Sequence, residues 1–199
     1  MVTIEAVCGC MWAGKSEEVA SRLKRARFAR KKILVVLPII DDRQERNLGD
    51  ILRNPMWLGS YKDLSINHIS SFIEVKELME SIDPDILVMD EVHMFTMWPV
   101  DMISELRFLE KYQTQDLRII VSGVDMDFQG KPFETVALIM AMAQDARKMT
   151  HAICKKCEKK TAVMTYKKPD KNNEVKPDRI QVGGEKDYEP RCWECYMLG

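Results

Sequence analysis

Residues 9 to 16 of this chain read Gly9-Cys10-Met11-Trp12-Ala13-Gly14-Lys15-Ser16, which satisfies the spacing G-x-x-x-x-G-K-S in full. Few short patterns constrain a fold as strongly, because the chemistry works only between a strand and a helix. The glycines let backbone N–H groups turn inward on phosphate oxygens, and the helix that starts at the loop's end adds its positive pole. The lysine neutralises the β and γ oxygens, and the serine is placed to ligate Mg²⁺. Both flanks comply: Val2 to Val7 reads as a short strand, and Ser16 to about Arg30 carries helix formers without Pro or Gly. A glycine turn beside an exposed lysine would explain the pattern but not its flanks.

A phosphate-binding loop that works with Mg²⁺ needs a carboxylate at the end of a neighbouring strand. Asp85 to Met89 supplies the strand; its Ile-Leu-Val-Met stretch is apolar on both faces, as an interior strand requires. Asp90 and Glu91 follow, one carboxylate for the metal and one that can accept a proton from an attacking hydroxyl. An Asp-Glu pair after a strand, seen alone, is also a common helix cap. Ile33 to Leu37 and Leu117 to Val121 read as further strands, and Phe72 to Ile82, Val100 to Tyr112 and Thr135 to Ala146 as helices. Strand alternating with helix predicts an α/β fold, a parallel sheet with helices on both faces.

After Lys148 the character changes. Cys154-x-x-Cys157 and Cys192-x-x-Cys195 flank a polar stretch containing Pro169, Pro177 and Gly183-Gly184. Two such knuckles close a tetrahedral structural zinc site, and four protein ligands leave no open position for catalysis. A redox pair would not need a second pair at a distance. The expected organisation is a phosphate-loop domain over residues 1–147 and a small zinc ribbon with a long loop over 148–199.

Composition adds exclusions. Lys+Arg 30 against Asp+Glu 31 gives a net charge of −1, which argues against a nucleic-acid partner. No apolar run approaches the roughly 18 residues needed to span a bilayer, and MVTIEAV does not open like a secretory leader, so a cytoplasmic protein without membrane contact is expected. Asp90-Glu91-Val92-His93 also spells a box used by helicases. Those enzymes close ATP between two such domains, and only about 50 residues follow the first here. The alternative, a nucleotide-binding protein or nucleic-acid-stimulated ATPase, therefore ranks behind an enzyme that transfers a phosphoryl group to a small hydroxyl acceptor.

Taken together, these blocks make the chain resemble the thymidine kinase family of the zinc-containing P-loop type, over nearly its whole length. The resemblance is carried by G-C-M-W-A-G-K-S-E-E at 9–18, I-D-D-R at 40–43, D-I-L-V-M-D-E-V-H-M-F at 85–95, S-G-V-D-M-D-F-Q-G-K-P-F at 122–133 and V-G-G-E-K-D-Y-E-P-R-C-W-E-C-Y at 182–196. It implies transfer of the γ-phosphoryl of ATP to the 5′-hydroxyl of thymidine, with deoxyuridine as a further acceptor, and implies a homotetramer. Glu91 would be the base, and Ser16 and Asp90 would serve Mg²⁺. ATP would be held by Gly9, Cys10, Met11, Trp12, Ala13, Gly14, Lys15 and Ser16, by Asp41, Asp42 and Arg43, and by Asp90 and His93. The nucleoside would meet Met11, Met94, Val124, Phe128, Phe133 and Thr165, together with Arg179, Ile180, Gln181, Val182, Gly183 and Tyr188 of a lasso, residues 166–191, tethered by the zinc ligands.

The sequence departs from the family's usual Asp-Glu-x-Gln-Phe-Phe: His93 stands for the glutamine and Met94 for a phenylalanine that packs on the base. Methionine is the more adaptable wall and admits a wider range of 5-substituted pyrimidines. Read as a residue, His93 is a strand-end histidine hydrogen-bonded to its neighbours. Arg179 and Gln181 occupy lasso positions where relatives often carry aliphatic residues.

Overall fold

The computed structural model describes residues 1–41, 47–169 and 179–199. Six strands, β1 (Val2–Cys8), β2 (Ile33–Pro38), β3 (Leu64–Ile69), β4 (Ile86–Met89), β5 (Leu117–Gly123) and β6 (Asp145–Lys148), form one sheet in the order β3-β2-β4-β5-β1-β6. Every neighbouring pair is parallel. Parallel strands need crossovers, and helices supply them: α1 (Lys15–Phe28), α2 (Leu48–Arg53), α3 (Phe72–Ile82), α4 (Trp98–Phe108), α5 (Lys111–Thr114) and α6 (Glu134–Met142).

The two-residue period of the strands sorts their side chains into two cores. Ile4, Leu34, Val36, Leu87, Met89, Ile119 and Val121 pack on one face with Val75 and Met79 of α3, Met102 and Ile103 of α4 and Val136 and Ile139 of α6. The alternate residues Ile33, Val35, Ile86, Val88 and Ile120 face the other way, against Val19 and Leu23 of α1 and Leu48 and Leu52 of α2. The strand predicted as interior, β4, lies between β2 and β5 and is buried along its whole length.

The predicted helix over Phe72 to Ile82 is observed with those bounds; Ser71 caps its start by accepting from the Glu74 N–H, and Asp83 ends it in the left-handed region at φ 51°. The predicted helix over Val100 to Tyr112 begins earlier, at Trp98, and splits into α4 and α5 because Leu109 turns to an extended conformation. The predicted helix over Thr135 to Ala146 stops at Met142, where Ala143 becomes extended and the chain enters β6 at the sheet edge. Beyond β6, β7 (Met164–Lys167) and β8 (Tyr188–Arg191) pair antiparallel as a separate two-stranded sheet, followed by α7 (Trp193–Met197).

Candidate active site

The parallel register puts the carboxyl ends of β1, β4 and β5 side by side, with Cys8 opposite Gly123 and Met89 opposite Val121. The loops that begin at Gly9, Asp90 and Val124 therefore leave from one end of the sheet, where open α/β folds bind their ligands. The 9–14 loop is tightly specified. Gly9 has φ +146° and a Cβ there would lie 2.6 Å from the Met149 carbonyl oxygen; Gly14, φ +89°, caps α1 in the left-handed region that L side chains avoid. Trp12 also sits at φ 61°, a cost that a built binding loop carries. Lys15 is buried and its Nζ donates to the Cys10 carbonyl at 3.0 Å, so the ammonium is folded back over its own loop.

A polar cleft opens over this loop, lined by Met11, Trp12, Gly14, Lys15, Ser16 and Glu17, by Asn47, Leu48 and Ile51 of the α2 start, and by Asp90 and Glu91. Gly9 begins the loop, and Cys10 and Ala13 are buried beneath it. Asp41 is buried outside this lining. Asp42 and Arg43 lie outside the described residues. Asp90 accepts a hydrogen bond from the Ser122 hydroxyl. Burial first, and then the charge of Glu91, raise its pKa to about 7 against the opposing pull of Ser122 and Lys15. Glu91 has φ 51° and ψ 41°, which turns it out of the strand direction, and its Oε2 lies 3.4 Å from His93 Nδ1. The same ring nitrogen accepts from the Val124 N–H at 3.2 Å.

Next to the cleft lies a mainly apolar cavity. The first part of the chain contributes Met11, His93, Met94, Val124, Met126, Asp127, Phe128 and Phe133; the C-terminal part contributes Thr165, Arg179, Ile180, Gln181, Gly183 and Tyr188. His93, expected beside ATP, thus lines this cavity and not the phosphate cleft, with its ring 4.9 Å from that of Phe133. Val182 is absent from the lining, while its neighbour Gly183 is present and crowded: a Cβ there would come within 2.9 Å of the Tyr188 ring. Burial, reinforced by Asp187, pushes the Tyr188 phenol up to about 12, so it stays protonated and donates to the Gln181 carbonyl at 2.7 Å. Met11 belongs to both cavities, and the run from Asp90 to Met94 passes from one to the other.

Sequence reasoning missed Ser122, Met126, Asp127, Asn47, Leu48 and Ile51. A signal existed for the α2 start: Asn47 accepts from the Asp50 N–H while Asp50 accepts from the Asn47 N–H, a capping box readable as Asn-x-x-Asp. For Ser122 and Met126 only the tertiary arrangement reveals the neighbours.

The sulfur atoms of Cys154, Cys157, Cys192 and Cys195 all lie within 4.8 Å of one another. Thiolates on a tetrahedral zinc at about 2.3 Å stand roughly 3.8 Å apart, so this donor set fits zinc in number, chemistry and spacing. Burial tends to raise the Cys154 thiol, but backbone donors at Cys192, Cys157 and Lys156 outweigh it and hold it at about 6, which favours the metal-binding form. Cys8 and Cys10 contrast with it: burial pushes both up to about 11, and they serve as small core residues beside the loop.

A family model described as thymidine kinase matches residues 2–196. A thymidine kinase of Bacteroides fragilis strain YCH46 is 32% identical over 195 residues, covering 98% of this chain and 86% of its own length. One from Roseiflexus sp. strain RS-1 is 33% identical, with 97% and 94% covered, and one from Mesoplasma florum is 32% identical over 199 residues, with 98% and 91% covered. The match runs through the phosphate loop, the Asp90-Glu91 pair and the cysteine knuckles alike, and on this extent the chain belongs to the thymidine kinase family.

Proposed function

We propose that this chain transfers the γ-phosphoryl group of ATP to the 5′-hydroxyl of thymidine, with deoxyuridine as a second acceptor. The observation that carries the reading is the shared wall between the cavities. A phosphate cleft built on Lys15 and Ser16 abuts an aromatic cavity built on Phe128, Phe133 and Tyr188; Met11 lines both, and Glu91 lines the cleft with its Oε2 3.4 Å from Nδ1 of His93, which lines the cavity.

In this reading the loop from Gly9 to Ser16 holds the triphosphate, and Lys15 leaves the Cys10 carbonyl to meet the phosphate oxygens. Ser16 and Asp90 would hold Mg²⁺, which when bound neutralises charge on the transferring group. Glu91 takes the proton of the 5′-hydroxyl as that oxygen bonds to the γ-phosphorus and the bond to the β-bridging oxygen breaks, releasing ADP. Its αL backbone is the kind of strain that a fixed catalytic position sustains. Phe128, Phe133, Met94 and Val124 flank the base, and Thr165, Ile180, Gln181, Gly183 and Tyr188 enclose it from the C-terminal side. Cys154, Cys157, Cys192 and Cys195 would hold zinc, which when bound would supply a structural cross-link between the two ends of the lasso and lower the entropy lost in ordering it.

The division of labour follows the same lines: residues 1–147 bind ATP and residues 148–199 complete the nucleoside site. A cytoplasmic homotetramer is the form carried over from the resemblance, and light scattering of the purified protein tests the assembly. No helix among the described residues is long and apolar enough to cross a membrane.

The acceptor test is a panel of thymidine, deoxyuridine, deoxycytidine, single-stranded DNA and buffer with MgATP, read for nucleoside 5′-monophosphate. Thymidine monophosphate as the main product supports the reading. ATP hydrolysis that rises with DNA and yields no monophosphate contradicts it.

A further inference from the structure

The segment from Arg179 to Gly183 closes one side of the aromatic cavity and is fixed from two directions. On the ribbon side, the Tyr188 hydroxyl donates to the Gln181 carbonyl at 2.7 Å, and the Lys167 ammonium donates to the Gln181 side-chain oxygen. On the opposite side, Arg179 reaches the turn from Asp127 to Phe133. Its Nε donates to Asp127 Oδ2 at 2.7 Å, and one terminal nitrogen donates to the Pro132 carbonyl at 2.9 Å and the Lys131 carbonyl at 3.4 Å. The guanidinium carbon lies 5.2 Å from the centre of the Phe133 ring.

Asp127 is built to receive this cation. Its side chain is 0% exposed, and Oδ1 is already committed to the N–H groups of Gln129 at 3.0 Å and Lys131 at 2.8 Å. The turn thus fixes the carboxylate in place and aims Oδ2 at Arg179. A buried anion without a countercharge is costly, so the arrangement favours the state in which Arg179 is seated. The lasso is continuous with the ribbon, whereas these Arg179 contacts go to the turn after β5. The residue therefore spans the two parts that enclose the cavity.

We infer that Arg179 is a latch: by seating on Asp127 and Pro132 it holds residues 179–183 against the 127–133 turn and so sets how tightly the nucleoside is retained. It is a positioning residue that acts on the nucleoside side of the site, and preorganisation of a binding segment is expressed as affinity. The inference rests on the reading of this cavity as the nucleoside site.

Steady-state kinetics of Arg179→Ala, Arg179→Lys, Asp127→Asn and the double variant Arg179→Ala/Asp127→Asn test it. Arg179→Ala is expected to raise the nucleoside KM about tenfold, with kcat and the KM for ATP within about twofold. Lysine keeps the charge but cannot span both acceptors, so Arg179→Lys falls between wild type and Arg179→Ala. Asp127→Asn retains an acceptor for the turn and loses the anion, so it too should raise the nucleoside KM. The double variant should be no worse than the poorer single one, as expected of two groups acting through one contact. A nucleoside KM unchanged in Arg179→Ala, or a kcat that collapses at constant KM, overturns the latch. Hydrogen exchange of the 180–183 amides in the protein without nucleoside gives a readout independent of turnover: faster exchange in Arg179→Ala supports the latch and equal exchange refutes it. If wild type transfers no phosphoryl group while thymidine binding still weakens and exchange still quickens in Arg179→Ala, the kinase reading fails and the latch stands.

Discussion

The backbone N–H of Met11, inside the phosphate loop, donates to the hydroxyl of Thr165 on β7 at 3.1 Å. Close by, the Cys10 thiol faces the Ala162 carbonyl at 3.6 Å. These contacts join the loop that would hold ATP to the ribbon that would close on the nucleoside. Met11 lines both cavities, so the geometry of one is set partly by the other.

Thr165→Val keeps the shape and removes the acceptor, leaving the Met11 N–H unsatisfied at a cost of about 1–3 kcal/mol. The nucleoside KM should rise by roughly tenfold and the melting temperature should fall, while Thr165→Ser restores both. Kinetics and calorimetry of the pair check this; equal behaviour of valine and serine would count against the coupling.

The raised pKa of Asp90 has a thermodynamic sign. The folded protein keeps the Asp90 proton up to about pH 7, whereas the unfolded chain releases it near the ordinary value of 3.8. This group's contribution to stability therefore falls as pH rises between those values and remains unfavourable above them. In protein free of metal and nucleotide, Asp90→Asn should raise the melting temperature more at pH 8 than at pH 5, by several degrees on the basis of roughly 2–4 °C per kcal/mol. Thermal scans at the two pH values decide it, and a larger gain at pH 5 would reverse the assignment. Activity should be lost at both.

Zinc removal should separate the two halves of the site. Elemental analysis is expected to give one zinc per chain. Chelation, or Cys157→Ser, should abolish nucleoside transfer and expose residues 179–191 to protease, with MgATP affinity kept within about threefold because the phosphate loop stands on the main sheet. Full transfer from metal-free protein would contradict a structural role.

Met94 bears on acceptor range. It lines the cavity with Phe128 and Phe133, and its flexible thioether accommodates different ring substituents. Met94→Phe should lower kcat/KM for bulky 5-substituted deoxyuridines more than for thymidine, by about five- to tenfold. An equal effect on all acceptors would show that this wall does not discriminate.

Much of the architecture was legible because local and global signals agree. The Ile86–Met89 run is apolar on both faces and is interior, and Asp83-Pro84 ends a helix at the residue where the sequence breaks. Two strands of the six-stranded sheet escaped for a physical reason. β3 and β6 are the sheet edges, where one side needs no partner; β3 is mostly half-exposed and carries Ser65, Asn67 and His68, and β6 reads Asp-Ala-Arg-Lys with no apolar run at all. The site was legible in its motifs and less so in its pairings. Lys15, Ser16, Asp90 and Glu91 come together as their spacing implies, but no local pattern ties Arg179 to Asp127 across 52 residues, or places His93 against Phe133.

The most direct test of the kinase reading is the initial rate of radiolabelled γ-phosphoryl transfer from MgATP to thymidine by zinc-replete wild type and by Glu91→Gln, with thymidine binding measured in parallel. Wild type should form thymidine 5′-monophosphate, and the variant should bind thymidine with similar affinity while its rate falls by about 10²–10⁴-fold, the range of a lost general base. Transfer at the wild-type rate by Glu91→Gln would remove the proposed base, and no transfer by folded wild type would contradict the kinase itself.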